Sequence, residues 1–268
     1  MLMRYFIHLA YLGTAYSGWQ RQATTSETIQ QKLETALSLM LGKSIFVCGC
    51  GRTDAGVHAM QYFGHFDYDE EWRFDPVMRI NKMLPPDITV FDIMPMDPQA
   101  HSRNDALGRS YIYHFHTRRN AYLWPFSAYY ELDKIDLTLI NDGLELLKGL
   151  TDFRHLCGSP DKMADTMCSL SEASLYTGSN GDEVIFKFTA NRFLKYMVRM
   201  MVGRLIELAA GRLSIERFQA IIKGDDALPY PVVAYPQGLH LFEIKYPYLV
   251  LPCRHNPFAD WMSDACKV

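Results

Sequence analysis

The sequence lacks the features that would take a chain into a membrane or out of the cell. No apolar run approaches the roughly 20 residues needed to cross a bilayer. The N-terminal segment places Arg4 within a short alternating stretch and contains no long apolar core of the kind found in secretion signals. We therefore expect a cytoplasmic protein that has no contact with a membrane.

Metal-binding patterns are also scarce. The six cysteines contain no C-x-x-C pair, and Cys48 and Cys50 lie in a strand-like run where a small buried side chain is the commoner role. Without an export signal, these thiols are expected to stay reduced. The histidine spacing does not indicate a metal site either, as judged at His65, His101, His114, His116 and His155. The sequence therefore predicts no metal site.

The chain has no overall excess of positive charge, since its formal net charge is −3 over 268 residues. A nucleic-acid-binding surface needs only a local basic patch, and such a patch need not appear in the total. The segment from Arg192 to Lys223 contains seven basic residues and only two acidic ones. Charge is therefore segregated along the chain, which is compatible with an RNA-facing surface on this segment.

The order of short apolar segments predicts an α+β protein. Alternating residues indicate strands and apolar residues at helical spacing indicate helices, roughly in the order strand, helix, strand, strand, helix, strand in each half. We predict two sheet-and-helix subdomains with mainly antiparallel strands and with helices on one face. Their expected limits are residues 1–105 and 106–248, followed by an irregular tail at 249–268.

Local patterns suggest where several elements begin and end. Thr28, with Gln31 three residues later, predicts the start of a helix that ends at Gly42. A strand is expected at residues 45–48. The tetrapeptide Ser-Asn-Gly-Asp at residues 179–182 predicts a hairpin turn between two further strands.

A long helix is predicted at residues 194–209, ended by Gly211. Helical spacing would put Arg192, Lys195 and Arg199 on one face. Taken alone, such a face is typical of a solvated basic surface. It is also a candidate for contacts with RNA phosphates.

The segment from Gly49 to Ala59 carries the clearest chemical signal. Its three glycines allow tight turns and close approach of a ligand to the backbone. Loops held by a rigid sheet often carry catalytic groups, whereas an isolated Asp-Ala-Gly more often forms a simple Asx-turn. This loop combines a cation, a hydroxyl, a carboxylate and an imidazole, at Arg52, Thr53, Asp54 and His58.

The whole string resembles a motif of the TruA family of tRNA pseudouridine synthases, G-R-T-D-A-G-V-H, which it matches without a gap. The resemblance extends along nearly the whole chain, and ordered matches at this spacing are far more specific than any one of them. The further matching segments are Gly18-Trp19-Gln20-Arg21-Gln22, Asn81 with Leu84-Pro85, His101-Ser102-Arg103, Arg109-Ser110-Tyr111, Phe193-Leu194-Lys195-Tyr196-Met197-Val198-Arg199 and Gly238-Leu239.

This resemblance implies the pseudouridine synthase fold, the activity, the partners and roles for particular residues. It implies that Asp54 is the essential carboxylate, that Tyr111 stacks on the target base and takes part in proton transfer, and that Arg199 pairs with Asp54. It implies that Arg52 helps to hold the flipped nucleotide, and we add Thr53, His58, Arg192 and Lys195 as candidate substrate contacts. The implied partners are tRNA, modified in its anticodon stem-loop, and a second copy of the chain in a homodimer. The implied reaction requires no cofactor.

Two other functions are compatible with parts of the pattern. A non-catalytic RNA-binding protein would use its sheet faces for RNA, but binding alone has no need of a carboxylate near phosphate. A hydrolase using Asp54 and His58 would need a second carboxylate or a nucleophile motif, which the sequence does not offer. Taken alone, Tyr111 is typical of strand packing and His58 of a hydrogen-bonded histidine at a strand end.

The chain departs from the family pattern at a few positions. Leu12 replaces the aspartate usual before the first glycine, Cys168 replaces a frequent arginine, and Tyr235-Pro236-Gln237 is shifted from A-P-x-x-G-L. These changes leave the catalytic residues intact. We expect Leu12 and Cys168 to influence which RNA is chosen.

Overall fold

The computed structural model describes residues 2–178, 181–226, 231–254, 256–259 and 267. Ser179 and Asn180 of the expected hairpin turn, and residues 260–266 of the tail, lie outside the described residues. The chain divides into two compact units. The first comprises Met1–Leu107 and His240–Asn256, and the second comprises Gly108–Leu239 and Pro257–Val268.

The first unit contains a mostly antiparallel sheet and two helices. Its elements are β1 (Met3–Tyr11), α1 (Ile29–Leu41), β2 (Cys48–Gly49), β3 (His58–Tyr68), α2 (Pro76–Asn81), β4 (Ile88–Met96) and most of the last strand, β9 (Leu239–Lys245). The strand order is β4-β1-β3-β9, and β2 pairs with β3. All of these pairings are antiparallel except that of β3 with β9.

The second unit also combines strands and helices. Its elements are β5 (Gly108–His116), β6 (Ala128–Tyr129), α3 (Leu137–Lys148), β7 (Leu170–Thr177), β8 (Glu183–Ala190), α4 (Met197–Ala209) and α5 (Ile215–Lys223). β8 lies between β5 and β7 and is antiparallel to both, and β6 adds a short parallel pairing to β5. The predicted α+β class with mainly antiparallel strands is therefore confirmed. Among the described residues, no helix is long and apolar enough to span a bilayer.

Helix α1 begins and ends where the sequence predicts. The Thr28 side chain accepts a hydrogen bond from the Gln31 backbone N–H, and Gly42 takes the left-handed conformation at φ 67°. Its apolar stripe is buried, with Leu33 and Leu37 fully inaccessible to solvent. The capping residues and the stripe therefore act together to define this helix.

The strand expected at residues 45–48 is wrong in its extent, because only Cys48 and Gly49 pair as a strand. The backbone N–H of Ile45 donates to the Ser38 hydroxyl at 2.9 Å, and that of Val47 donates to the Glu34 carboxylate at 3.0 Å. Side chains of α1 thus accept hydrogen bonds from backbone N–H groups that would otherwise donate to a neighbouring strand.

The expected start of the long helix is also wrong, because α4 begins at Met197 and not at residue 194. Tyr196 takes a left-handed conformation, with φ 60° and ψ 0°. A right-handed helix cannot run through such a residue. Arg192 and Lys195 therefore precede the helix, and they do not share a helical face with Arg199.

The last strand is assigned differently from the sequence-based division. Residues 240–248 were expected in the second subdomain, whereas His240–Asn256 belongs to the first unit. The reason is the parallel pairing of His58 with His240 and of Ala59 with Leu241. Alternation identifies a strand but not its partner, so the sequence offers no signal for this pairing.

Candidate active-site residues

The Asp54 loop lies between β2 and β3 of the first unit, where a second loop packs against it. The Trp19 backbone N–H donates to the Thr53 carbonyl at 3.1 Å, and the Gly56 N–H donates to the Tyr16 carbonyl at 3.2 Å. These bonds satisfy backbone groups of both loops. The loop after β1 therefore fixes the path of the chain on both sides of Asp54.

Two aromatic side chains support the same loop. The rings of Trp19 and Tyr62 stack with centroids 4.0 Å apart, and Trp19 is 2% exposed. The Tyr62 hydroxyl donates to the Gly51 carbonyl at 2.5 Å. The sequence motifs include Trp19 only as part of a matching segment, and they do not include Tyr62. Their contact with the loop depends on sheet pairing that the sequence does not display.

Thr53 and His58, both predicted to contact the substrate, are buried. The Thr53 hydroxyl lies 2.8 Å from the Tyr11 hydroxyl. His58 is 1% exposed, accepts a hydrogen bond from the Gly13 backbone N–H at 3.0 Å through Nδ1, and stacks on His240 at 4.6 Å. Side chains buried to this degree offer little surface to an RNA, so their contacts favour a role in holding the loop.

Asp54 and Arg52 are the more accessible polar side chains of the loop. Asp54 is half-buried and sits in a turn in which its carbonyl accepts the Val57 N–H at 3.2 Å. Arg52 is exposed, and its Nε donates to Gln20 Oε1 at 3.1 Å. The loop thus presents a carboxylate in a defined turn and a guanidinium on the surface two residues before it.

Gly18 combines a left-handed backbone with a close approach of the two loops. Its φ is +89°, and a Cβ added there would lie 2.5 Å from the Thr53 carbonyl oxygen. We expect Gly18→Ala to lower the free energy of unfolding by more than the ~1–2 kcal/mol that left-handed strain alone costs. Because the Trp19–Thr53 bond must shift, any activity that depends on the Asp54 loop should fall as well.

Gly42→Ala provides the matched control for this prediction. Its φ is +67°, but no atom lies within 4 Å of the added Cβ, so it tests strain without a clash. Urea unfolding of both variants measures the difference. Equal destabilisation, or full activity of Gly18→Ala, would show that the loop contact is not needed.

Tyr111 lies on β5 of the second unit, in register with Phe188 on β8. It is half-buried, and the Phe193 ring meets it edge to face at a centroid distance of 5.0 Å. This contact fixes the tilt of the Tyr111 ring while leaving part of the side chain accessible. A ring held in this way is suited to stacking on a base.

Arg199 lies in the first turn of α4 and is held by a neighbouring segment. Its Nε donates to the Ala234 carbonyl at 2.7 Å, and the Ala234 N–H donates back to the Arg199 carbonyl at 2.9 Å. The guanidinium carbon lies 5.4 Å from the centre of the Tyr196 ring. The left-handed turn at Tyr196 therefore both starts the helix and places a ring beside this cation.

The basic segment is less available to RNA than its composition suggests. Arg192 donates to the Asp165 carboxylate at 2.5 Å, Arg204 is buried and pairs with Glu207, and Arg217 pairs with Asp226 at 2.9 Å. Lys195 is exposed, with its ammonium 5.0 Å from the Tyr196 ring centre. Of the predicted phosphate contacts, Lys195 is the better placed.

The two departures from the family pattern lie in different surroundings. Leu12 is 44% exposed. Cys168 is 4% exposed, and burial raises the pKa of its thiol, which lies beside Arg192. Leu12 is therefore exposed enough to contact RNA directly, whereas Cys168 is not.

One group of potential metal ligands appears only in the folded chain. Cys48, His65 and His101 have ligand atoms within 4.8 Å of one another. Their spacing along the chain does not indicate a group, because 17 and 36 positions separate successive members. They belong to the first unit and are distinct from the residues predicted to act on uridine.

Comparison with known proteins agrees with the motif. A family model described as tRNA pseudouridine synthase matches residues 144–247. The chain is 36% identical over 252 residues to a tRNA pseudouridine synthase A from Bacteroides thetaiotaomicron, covering 92% of this chain and 91% of the relative. It is 35% identical over 257 residues to that of Parabacteroides distasonis, covering 94% and 99%. It is 32% identical over 243 residues to that of Aquifex aeolicus, covering 90% and 98%.

The matched region contains Arg199, whereas the motif around Asp54 precedes it. The similarity to the relatives spans both parts, since it extends over at least nine-tenths of the chain in each case. With such identity over nearly the full length of both partners, the chain belongs to the TruA family of tRNA pseudouridine synthases.

Proposed function

We propose that this chain isomerises uridine to pseudouridine in tRNA, with Asp54 as its catalytic carboxylate. The observation that carries this proposal is the uninterrupted string Gly51–His58 in a loop fixed by backbone bonds on both sides of Asp54. Relatives named tRNA pseudouridine synthase A support the reaction and the substrate class. The enzyme is accordingly an isomerase that needs no second substrate.

The reaction explains why a carboxylate is needed. The bond between uracil N1 and ribose C1′ breaks, the uracil turns, and a bond between C5 and C1′ forms. The proton on C5 is then lost and a proton is gained at N1. An ionised carboxylate can attack the sugar or take its 2′ proton, so Asp54 must be charged when the substrate is bound. The uridine must also leave its stack to reach the carboxylate.

We assign Tyr111 and Arg199 to the same reaction. The Tyr111 ring would hold the detached uracil by stacking while it turns, and its hydroxyl would serve the final proton transfer. Arg199 would favour the charged form of Asp54, because a nearby cation stabilises a carboxylate. The fixed backbone contacts of Arg199 support this role, since they orient its guanidinium before substrate arrives.

The remaining candidates divide into contacts and positioning residues. We propose that Arg52, exposed and two residues from Asp54, holds the flipped nucleotide through its phosphate. Thr53 and His58 would position the loop, as their burial and hydrogen bonds favour. The buried Nδ1 contact of His58 also argues against a hydrolase in which this imidazole acts as the base.

The target and the assembly rest on the family resemblance. We propose that the chain modifies uridines of the anticodon stem-loop, acts as a homodimer, and works in the cytoplasm. Turnover on tRNAs carrying single anticodon-arm uridines tests the target, and Leu12→Asp tests whether the exposed departure alters it. Efficient modification of every position by both the wild type and Leu12→Asp would mean that Leu12 does not govern the choice of uridine.

Light scattering at several protein concentrations tests whether the chain forms a dimer.

Release of tritium from tRNA labelled at uridine C5 is the direct test of the activity. Of the three candidate functions, only pseudouridine formation exchanges that hydrogen, so an RNA-binding protein and a hydrolase would both give no release. We expect release to match the pseudouridine found by mapping the same RNA. Binding of tRNA without release would overturn the proposed function.

Lys195 should contribute a phosphate contact. Lys195→Ala is expected to weaken tRNA binding and to flatten the plot of log affinity against log salt by about one unit, because one fewer counterion is released. Arg192→Ala is the control, since its guanidinium already pairs with Asp165 and should change the slope less. Dissociation constants at several salt concentrations measure both slopes. An unchanged slope for Lys195→Ala would remove this residue from the interface.

A further inference from the structure

The first unit contains a cluster of side chains that the proposed reaction does not use. The Cys48 thiol and one ring nitrogen each of His65 and His101 lie within 4.8 Å of one another. A zinc ion with bonds of about 2.0–2.3 Å holds its ligand atoms roughly 3.3–3.6 Å apart. The distances between the three ligand atoms therefore need to shorten by only about 1 Å, which side-chain rotation can supply.

The sheet places these side chains together. Cys48 on β2 and His65 on β3 are directly opposite in an antiparallel pair, so their side chains project from the same face. His101 follows β4, and its ring meets that of His65 edge to face at 4.7 Å. Cys48 and His101 are half-buried while His65 is 6% exposed, so an ion has access from solvent.

A hydrogen-bond chain prepares His65 as a ligand. Ser102 Oγ donates to the Cys48 carbonyl at 2.9 Å and lies 2.8 Å from His65 Nδ1. The Ser102 backbone N–H donates to His65 Nδ1 at 3.2 Å. An ion at Nε2 would require the proton on Nδ1, where Ser102 Oγ is placed to accept it, as in metal-bound histidines whose other nitrogen is hydrogen-bonded.

His101 is held less firmly. Its Nδ1 accepts long hydrogen bonds of 3.2 Å from the backbone N–H groups of Arg103 and Asn104. A metal ion bound by this ring must compete with these contacts. The nearby Arg4 opposes a cation only weakly, because its charge is paired with Asp67 at 2.8 Å.

We propose that Cys48, His65 and His101 form a zinc site in the first unit, with a fourth position open to water. One thiolate and two imidazoles are a ligand set that zinc prefers, and sites with three protein ligands keep an open position. The ion would tie β2 and β3 to the segment after β4. This inference does not depend on the reaction proposed for Asp54.

Cobalt(II) provides the probe, because its bond to a thiolate gives a charge-transfer band in the near ultraviolet. The full chain, freed of metal by a chelator, is titrated with cobalt(II) and then with zinc(II). We expect one equivalent of cobalt to produce the band and one equivalent of zinc to remove it. Zinc should also raise the melting temperature, since it binds the folded state.

Cys48→Ser should abolish the band and the zinc-dependent rise in melting temperature. His101→Gln should weaken cobalt binding by roughly tenfold or more, the scale on which even outer partners of a metal site act. Cys253→Ser is the matched control, because that thiol is also half-buried but lies outside the cluster. It should keep both responses.

The proposal fails if wild-type protein gives no thiolate–cobalt band with one equivalent of cobalt. It also fails if the band persists in Cys48→Ser or disappears in Cys253→Ser, because the ion would then sit on another thiol. Circular dichroism of each variant establishes that its fold is retained. Should Cys48→Ser not fold, loss of cobalt affinity in folded His101→Gln decides the question.

Discussion

Asp54→Asn should reduce pseudouridine formation by roughly 10⁴-fold or more, the scale of loss when the essential group of an active site is removed. Asparagine keeps the size of the side chain and much of its hydrogen bonding, but it has no negative charge. It can neither attack the sugar nor remove its 2′ proton. The loop itself should survive, because its backbone is held through Thr53 and Gly56 by bonds that do not involve the carboxylate.

Three measurements separate this loss from misfolding or poor binding. Tritium release reports turnover, a filter-binding assay reports the affinity for tRNA, and thermal melting reports stability. We expect only the first to change substantially. Asp97→Asn, the same substitution at an exposed aspartate of the first unit, should leave all three near the wild-type values. Turnover of Asp54→Asn within a few-fold of wild type would remove Asp54 from the catalytic role.

Elements defined by their own residues could be predicted from the sequence. Thr28, Gln31 and Gly42 set the limits of α1 through contacts within a few positions of one another. Asp75 and Asp136 cap α2 and α3 in the same local way. Alternation identified the long strands because one-sided burial imposes a period of two. In all these cases, the contacts that define the element join residues close together in the sequence.

The predictions that proved wrong concern segments whose conformation depends on residues distant in the sequence. The N–H groups of residues 45 and 47 bond to side chains of α1, so propensity for a strand does not decide their conformation. The left-handed Tyr196 delays α4, and the strand-to-helix connection around it is stabilised by Gly158, whose N–H donates to the Lys195 carbonyl at 2.8 Å. Neither effect changes the local pattern of apolar residues, so neither could be predicted from that pattern.

The candidate site also combines features that are contiguous in the sequence with features that only the fold brings together. The glycines and polar residues around Asp54 are contiguous, so motif and chemistry could be read together. Supports such as Trp19 and Tyr62 are brought to the loop by the tertiary fold. The Cys48–His65–His101 cluster is the extreme case, since cross-strand register and a later loop assemble it. Sequence spacing alone cannot reveal a ligand set that depends on register.

Tyr111→Phe should lower turnover by about 10²-fold or more while tRNA affinity stays near the wild-type value. Proton transfer by a positioned side chain contributes this much, and the phenyl ring keeps the stacking surface. The edge contact with Phe193 involves the ring and not the hydroxyl, so the ring should keep its tilt. Tyr111→Ala, which loses both ring and hydroxyl, should lower turnover further and weaken binding of the flipped uridine.

Tyr113→Phe is the control that separates a catalytic hydroxyl from a structural one. Tyr113 lies two residues along the same strand and is fully buried, and its hydroxyl donates to the Tyr235 carbonyl at 2.9 Å. That hydroxyl also lies 3.1 Å from the Tyr130 hydroxyl, so its removal should cost about 1–3 kcal/mol of stability, because buried partners are left unsatisfied. Turnover below the melting transition should change little. If Tyr111→Phe instead keeps full turnover and only Tyr111→Ala is impaired, the hydroxyl has no part in proton transfer, and Tyr111 acts through its ring alone.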